Sequence, residues 1–475
     1  MADSPPNSKT QIAVVGGGPG GYVAAFRAAD LGLDVTLIDL DENPGGVCLY
    51  RGCIPSKALL HVAKLLNETK EASEWGVTFG EPQIDLDALR AFKDRVVAKM
   101  TGGLGQLSKA RKVTYVRGRA RFTGPQSLQV DLHGGGQQDL QFEQAILATG
   151  SRPVMLPAFD INSERIMDST GALELPDVPK RLLVVGGGII GLELGQVYAA
   201  LGSKVSVVEM TGGLVPPADR DLVKVLSKRL QAQFDGVYLN TKVTGVSDNG
   251  SALDVAWEPT AGGPSETHTF DRILLSIGRR PNSEDLGLET TKVQLTDRGF
   301  VSVDGQRRTA EPTIFAIGDV IGSALAHVAS REGIVVAEVM AGQRSAFEPN
   351  AIPSVVYTDP EIAWCGLTEQ EAEGQDIKVA RFPWAASGRA TTLGRSDGVT
   401  KLIVDPQTER ILGVGIAGPG AGELIAEGVL AVEMAALVQD VAMSIHPHPS
   451  LSETVMEAAE AYHGLSPHIT APKRK

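Results

Sequence analysis

Cysteine is scarce in this chain. Three in 475 residues are too few for a structural disulfide framework, so any disulfide they form is there to react. No apolar run approaches the ~18 uncharged residues that a bilayer span needs, and an integral membrane protein is excluded. Basic residues are outnumbered, 44 Lys and Arg against 57 Asp and Glu, giving a net charge of −13. That sign opposes a phosphate backbone, and the basic runs Arg279-Arg280 and Lys473-Arg474-Lys475 are short, so no nucleic-acid partner is expected. The opening stretch, Met1 to Thr10, is polar with two prolines. It lacks both the apolar core of a secretion signal and the arginine-rich amphipathic character of a transit peptide, which makes the cytoplasm the expected compartment.

What is plentiful is glycine, 54 residues, and much of it is ordered. Ile12-Ala13-Val14-Val15 runs into Gly16-Gly17-Gly18-Pro19-Gly20-Gly21, then a helical stretch to Leu31-Gly32 and a strand, Val35-Thr36-Leu37-Ile38, ending at Asp39. Leu182-Leu183-Val184-Val185 repeats the plan through Gly186-Gly187-Gly188-Ile189-Ile190-Gly191, a helix to Leu201-Gly202, and the strand Val205-Ser206-Val207-Val208 ending at Glu209. Both are β-α-β units. They also close alike, Ala145 to Pro153 echoing Ile273 to Pro281. A later strand, Thr313 to Ile317, ends at Gly318-Asp319 without a counterpart in the second copy, so the chain is expected to return there to its first domain. Past Pro349 the pattern changes to short strands, such as Lys401 to Val404, and helical runs over Gly422 to Leu437 and Ser452 to Tyr462. The expected fold class is α/β: two Rossmann-like dinucleotide-binding domains, the second inserted in the first, with a C-terminal α+β domain. The domains are placed at 1–150, 151–278, a central segment 279–348 that returns to the first, and 349–475.

A glycine-rich turn alone is a weak signal, and two such turns with chance acids are the plain alternative. The complete strand-turn-helix-strand-acid context of each copy points instead to two dinucleotide sites. Gly16 and Gly186 permit the tight turn, Gly18 and Gly188 let backbone approach a pyrophosphate, and Gly21 and Gly191 allow close helix packing. Asp39 and Glu209 stand where an acid accepts hydrogen bonds from ribose hydroxyls. A carboxylate at Glu209 also repels a 2′-phosphate, favouring NAD(H) over NADP(H), unless it is merely a solvated strand-end acid.

Between the strands of the first copy lies Gly45-Gly46-Val47-Cys48-Leu49-Tyr50-Arg51-Gly52-Cys53-Ile54-Pro55-Ser56-Lys57. Pro55 fits only a helix's first turn, which puts the cysteines at or near a helix start, where the dipole favours thiolate. Buried small hydrophobes or half a metal site are the alternatives, but only one other cysteine exists and the nearest histidine, His61, lies a helix away. No metal site is expected. Cys365, in Trp364-Cys365-Gly366, reads as buried packing.

These segments resemble the pyridine nucleotide-disulfide oxidoreductases, and the likeness spans nearly the whole chain, through Gly318-Asp319 and the C-terminal His446-Pro447-His448-Pro449-Ser450-Leu451-Ser452-Glu453. Among that family the motifs are closest to those of the NAD-linked oxidation of dihydrolipoyl groups. The resemblance implies FAD in the first domain and NAD in the second. It makes Cys48 the interchange thiol and Cys53 the thiol against the flavin, with Lys57 near the ring and paired to Glu193. Asp319 would bind ribityl hydroxyls, the backbone near Ala326 and His327 would face the ring, and Thr149, Gly150 and Gly278 would line the nucleotide sites. Without the resemblance, Lys57 and Glu193 read as solvated helix charges and Asp319 as a turn aspartate. Tyr50 and Arg51 depart from the family pattern, which commonly has a small polar and an aliphatic residue there.

Thiol-disulfide exchange needs a thiolate, hence a base. His448 is the candidate, its flanking prolines fixing the backbone, with Glu453 to orient it. Ser450 to Glu453 is equally a capping box that would start the last helix; the resemblance favours the dyad. It also implies an obligate homodimer, in which the histidine serves the other subunit's cysteines, and a substrate carried on lipoyl domains of 2-oxo acid dehydrogenase acyltransferases or on the glycine cleavage H protein. Reduction of glutathione, a related disulfide or mercuric ion is the enzymatic alternative, and a flavin-bearing sensor or structural subunit is another.

Overall fold

In the first unit β1 (Asn7–Val15) is the centre of a parallel sheet because both its faces are covered. Ile12 to Val15 are all 5% exposed or less, the signature of a strand buried on both sides. β1 pairs with β2 (Val35–Asp39) and with β5 (Gln137–Leu147), β2 pairs with β3 (Thr114–Gly124), and β5 with the strand Ile314–Ala316. β4 (Ser127–Leu132) joins β3 to β5 as an antiparallel meander. A computed structural model describes residues 7–470; the first six residues and Lys473-Arg474-Lys475 lie outside the described residues. β1 begins earlier than its apolar run, since Asn7 to Thr10 pair with Asp139 to Phe142 of the long β5.

The second unit repeats the plan. Its parallel sheet runs Gly236–Tyr238, Lys204–Val208, Arg181–Val185, Arg272–Leu275, Ile166–Met167, beside an antiparallel meander of Thr241–Asp248, Leu253–Pro259 and Glu266–Phe270. The two connecting segments pair with each other, Ser151–Pro153 against Arg279–Pro281. Because Ile314–Ala316 completes the first sheet, the second unit is inserted in the first. The third unit is a five-stranded antiparallel sheet covered by helices Ala421–Glu433 and Glu453–His463. The helix expected over Gly422 to Leu437 stops short at Glu433, because Ala435 takes a left-handed φ of 52°, and a separate helix runs over Val438–Met443.

One apolar core fixes the units against one another, combining Leu59, Ala63 and Leu89 of the first with Leu192 and Leu222 of the second and Val356 and Ile362 of the third. A charged tie adds to it. The ammonium of Lys401, 1% exposed, lies 2.7, 2.7 and 2.6 Å from carboxylates of Asp219, Asp221 and Glu369. No helix among the described residues is long and apolar enough to cross a membrane.

Candidate active site

The segment after β2 folds into two helices rather than one. α2 (Gly46–Arg51) carries Cys48, and α3 (Cys53–Glu71) has Cys53 as its first residue and Pro55 in its first turn. Gly52 makes the break. A Cβ there would stand 2.8 Å from the Val47 carbonyl oxygen, closer than side chains tolerate. Both cysteines are free thiols in this structure, Cys48 half-buried and Cys53 exposed. They ionise as a pair. The hydrogen bond from Cys48, foremost, brings the Cys53 thiol down to about 7; burial opposes this, and the Lys57 ammonium adds to it. Cys48 is driven up by that same bond and by burial. The pair thus keeps one proton on Cys48 and negative charge on Cys53.

Lys57, one turn further along α3, meets Glu193 of the helix Ile189–Leu201 at 2.8 Å. Glu193, 3% exposed, also accepts from the Ser56 hydroxyl at 3.2 Å and from the Tyr357 amide at 3.0 Å. One carboxylate therefore joins all three units directly behind the cysteines. The Tyr357 ring lies 4.4 Å from the Lys57 ammonium, covering its other side.

The two glycine turns are near copies. Gly16 and Gly186 take φ of 107° and 106°, and a Cβ on Gly21 or Gly191 would reach the carbonyl oxygen of Gly16 or Gly186 within 1.8 and 2.7 Å. Gly18 and Gly188 are different: a Cβ there meets nothing within 4 Å, and each caps its helix without a side-chain bond. Uncapped N–H groups under open space suit a pyrophosphate. Asp39 and Glu209 bind the turns themselves. Asp39 accepts from the amides of Gly17 and Asp41, and Glu209 from those of Gly187 at 2.6 Å and Thr211 at 2.7 Å. Each acid ties its glycine turn to the strand end and keeps further lone pairs with which to accept.

Asp319 accepts from Ser151 at 2.5 Å, with Arg279 at 3.9 Å. Its turn is held from behind by Glu332, 0% exposed, which accepts from the Gly318 amide and the Ser323 hydroxyl, each at 2.7 Å. Thr149 and Gly150 are stapled to Asn282, and Gly278 takes a φ of 127°. Ala326 begins the helix Ala326–Met340, also without a side-chain cap, and His327 meets the Pro353 carbonyl at 2.9 Å. The uncapped start of the helix Pro19–Asp30 lies against Gly46, whose Cβ would stand 2.6 Å from the Gly18 Cα, and such a donor-lined start is of the kind a flavin dinucleotide fits.

His448 stands on the third unit, its side chain 76% exposed, with Nδ1 2.8 Å from Glu453 Oε1. Oε2 of the same carboxylate accepts from the Ser450 amide at 2.6 Å, while Glu453 donates its own amide to Ser450 Oγ at 3.3 Å. Dyad and capping box coexist, one oxygen serving each. Burial works to raise the Glu453 carboxyl, but the Ser450 amide and the His448 ring outweigh it and hold it below the usual range. His446 is turned elsewhere, to Glu427 at 2.8 Å and the Ser444 carbonyl at 2.8 Å.

The family model for pyridine nucleotide-disulphide oxidoreductase matches residues 10–333, and that family's dimerisation domain matches residues 352–459. The chain belongs to the pyridine nucleotide-disulphide oxidoreductases. A dihydrolipoyl dehydrogenase of Vibrio cholerae is 48% identical to it over 98% of this chain and 99% of its own length. One of Haemophilus influenzae is 49% identical, covering 98% of each. Among solved structures, LpdA from Mycobacterium tuberculosis superposes with a TM-score of 0.87 at 28% identity, over 95% of this chain and 99% of that one. A Cu(II) complex of the HOCl-induced flavoprotein disulfide reductase RclA from Escherichia coli gives 0.85 at 28% identity, over 95% and 99%.

Pyridine nucleotide-disulphide oxidoreductases of this kind carry FAD and use NAD, and the dimerisation domain makes the chain a homodimer. Sequence reasoning missed the residues that hold the site's own side chains: Ser56 and the Tyr357 amide on Glu193, Ser151 on Asp319, Glu332 behind Gly318. Only Ser56 carried a signal, lying inside the cysteine motif beside Lys57.

Proposed function

We propose that this chain oxidises dihydrolipoyl groups with NAD+ as a dihydrolipoyl dehydrogenase, Cys48 and Cys53 being its redox pair. The observation that carries this is the pair of cysteines on either side of the helix break at Gly52, with the Lys57 ammonium one turn along α3 held 2.8 Å from the buried Glu193. His448, oriented through Nδ1 by Glu453, takes a proton from the first substrate thiol. The resulting thiolate attacks the Cys48 sulfur of the disulfide. The S–S bond breaks, a mixed disulfide forms, and Cys53 leaves with the electron pair as thiolate. The second substrate thiol then attacks the substrate sulfur of the mixed disulfide, closing the ring; its proton ends on Cys48, and the first remains on His448. FAD, when bound, supplies the relay by which the electron pair reaches NAD+ as hydride.

Lys57 favours negative charge on Cys53, and Glu193, whose own charge opposes it, holds the Lys57 ammonium in place. Gly16, Gly18, Gly21, Asp39, Thr149, Gly150, Asp319 and Ala326 cradle FAD, and Gly186, Gly188, Gly191, Glu209 and Gly278 cradle NAD. The histidine of one protomer serves the cysteines of the other, which its exposed position on the dimerisation domain supports. The partners follow from the substrate: lipoyl domains of 2-oxo acid dehydrogenase acyltransferases or the glycine cleavage H protein, in the cytoplasm. The test is steady-state turnover with dihydrolipoamide and NAD+. His448→Gln is expected to lose on the order of 10² to 10⁴ in turnover; near-normal turnover removes His448 as base, and a wild type that instead reduces oxidised glutathione with NADPH overturns the substrate.

A further inference from the structure

Two residues between the cysteines have no part in that chemistry. Tyr50 and Arg51 end α2, and both reach back to the loop that follows Asp39. Arg51 grips Asp41 with both nitrogens, Nη1 to Oδ1 at 3.0 Å and Nη2 to Oδ2 at 2.7 Å. The Asp41 side chain is 15% exposed, so this is a partly sheltered bidentate pair. The Tyr50 hydroxyl accepts from the Asn43 amide at 3.1 Å and donates to its carbonyl at 3.2 Å. The loop is anchored in turn: the Asp41 amide donates to Asp39 at 2.9 Å, Tyr115 holds the Asp41 carbonyl at 2.9 Å, and the Gly45 amide donates to the Gly17 carbonyl at 2.7 Å.

The break at Gly52 gives these contacts their meaning, because it puts one sulfur on each side of a joint. α3, carrying Cys53, is fixed by Leu59 and Ala63 in the core and by Lys57 and Ser56 on Glu193. α2, carrying Cys48, is six residues long with Leu49 its one buried side chain. We propose that Arg51 and Tyr50 are positioning residues that lock α2 to the ribose-side loop and so set how readily the Cys48–Cys53 pair closes. A held α2 keeps the thiols at high effective concentration for each other and favours the disulfide; a released α2 lets Cys48 move away and makes the disulfide easier to reduce. The inference rests on Cys48 and Cys53 being a redox couple.

The experiment equilibrates the purified flavoprotein in a series of reduced to oxidised dithiothreitol ratios and reads the pair by alkylation and mass. Each reduction breaks the protein S–S bond, forms one in dithiothreitol and transfers two electrons. Arg51→Gln is expected to shift the midpoint about tenfold toward less reductant, equivalent to ~30 mV for a two-electron couple. Arg51→Lys, with one point charge in place of a fork, is expected to fall between. Tyr50→Phe, which keeps the ring and loses only the hydroxyl, is expected to shift about threefold the same way, an estimate scaled to the loss of one neutral hydrogen bond, and it decides the matter if Arg51→Gln does not fold. Midpoints within twofold of wild type, with only the melting temperature lowered, overturn the proposal and leave the clamp a structural contact. A wild type that shows no dithiol-disulfide transition at all overturns the redox reading instead.

Discussion

At the scale of single residues, the charge of the thiol pair is decided by which sulfur receives the hydrogen bond. Cys53 starts α3, accepts from Cys48 and lies near Lys57, so it ionises at about 7 against an ordinary 9.0. The lowered value fixes a sign. In the dithiol form the Cys53 thiolate favours the folded chain fully above pH 9, and that contribution is lost as pH falls through about 7. Alkylation of Cys53 in the dithiol form, followed against pH, is expected to reach half its maximal rate near pH 7; a half-point near 9 contradicts the pairing. Cys365 is the internal control. It is 1% exposed and burial pushes its thiol up to about 12, so iodoacetamide is expected to leave it untouched in the native protein.

Among the elements, the joint between α2 and α3 and the helix Ile189–Leu201 behind it form the working core, and Glu193 is their common fastening. Glu193→Ala removes the partner of Lys57 and strands the Ser56 hydroxyl and the Tyr357 amide. With Lys57 one-third exposed the expected cost is about 2 to 4 kcal/mol, read as a lowered melting temperature, whereas Glu193→Gln keeps the shape and one of the two acceptor oxygens and is expected to lose less. The cysteine helix start, both glycine turns and both strand-end acids were legible in the sequence, because each is a local pattern whose backbone demands particular residues. The Glu193 fastening was not, since it joins residues 137 and 164 apart in the chain. The last helix shows a third case. Capping box and dyad are both local patterns on Glu453, and only geometry shows that its two oxygens allow both.

On the scale of the whole molecule, the repeated β-α-β plan and the inserted second unit followed from the sequence, whereas the ties between units did not. Lys401 begins a short apolar run that reads only as a strand, yet its ammonium pairs with three carboxylates drawn from two units. Lys401→Met is expected to strip Asp219 of its ion-pair partner and to leave Asp221 and Glu369 to the exposed Arg381 alone, at a cost of about 2 to 4 kcal/mol seen as a lower melting temperature; an unchanged melting curve contradicts that role.

Two sulfurs across a helix joint, closing and opening as electrons arrive, are what every step above requires, and counting thiols in the native flavoprotein before and after one equivalent of NADH tests it most directly. With Cys365 shielded, reaction with a thiol reagent is expected to rise by two groups per chain, at Cys48 and Cys53. A count that does not change on adding NADH contradicts it.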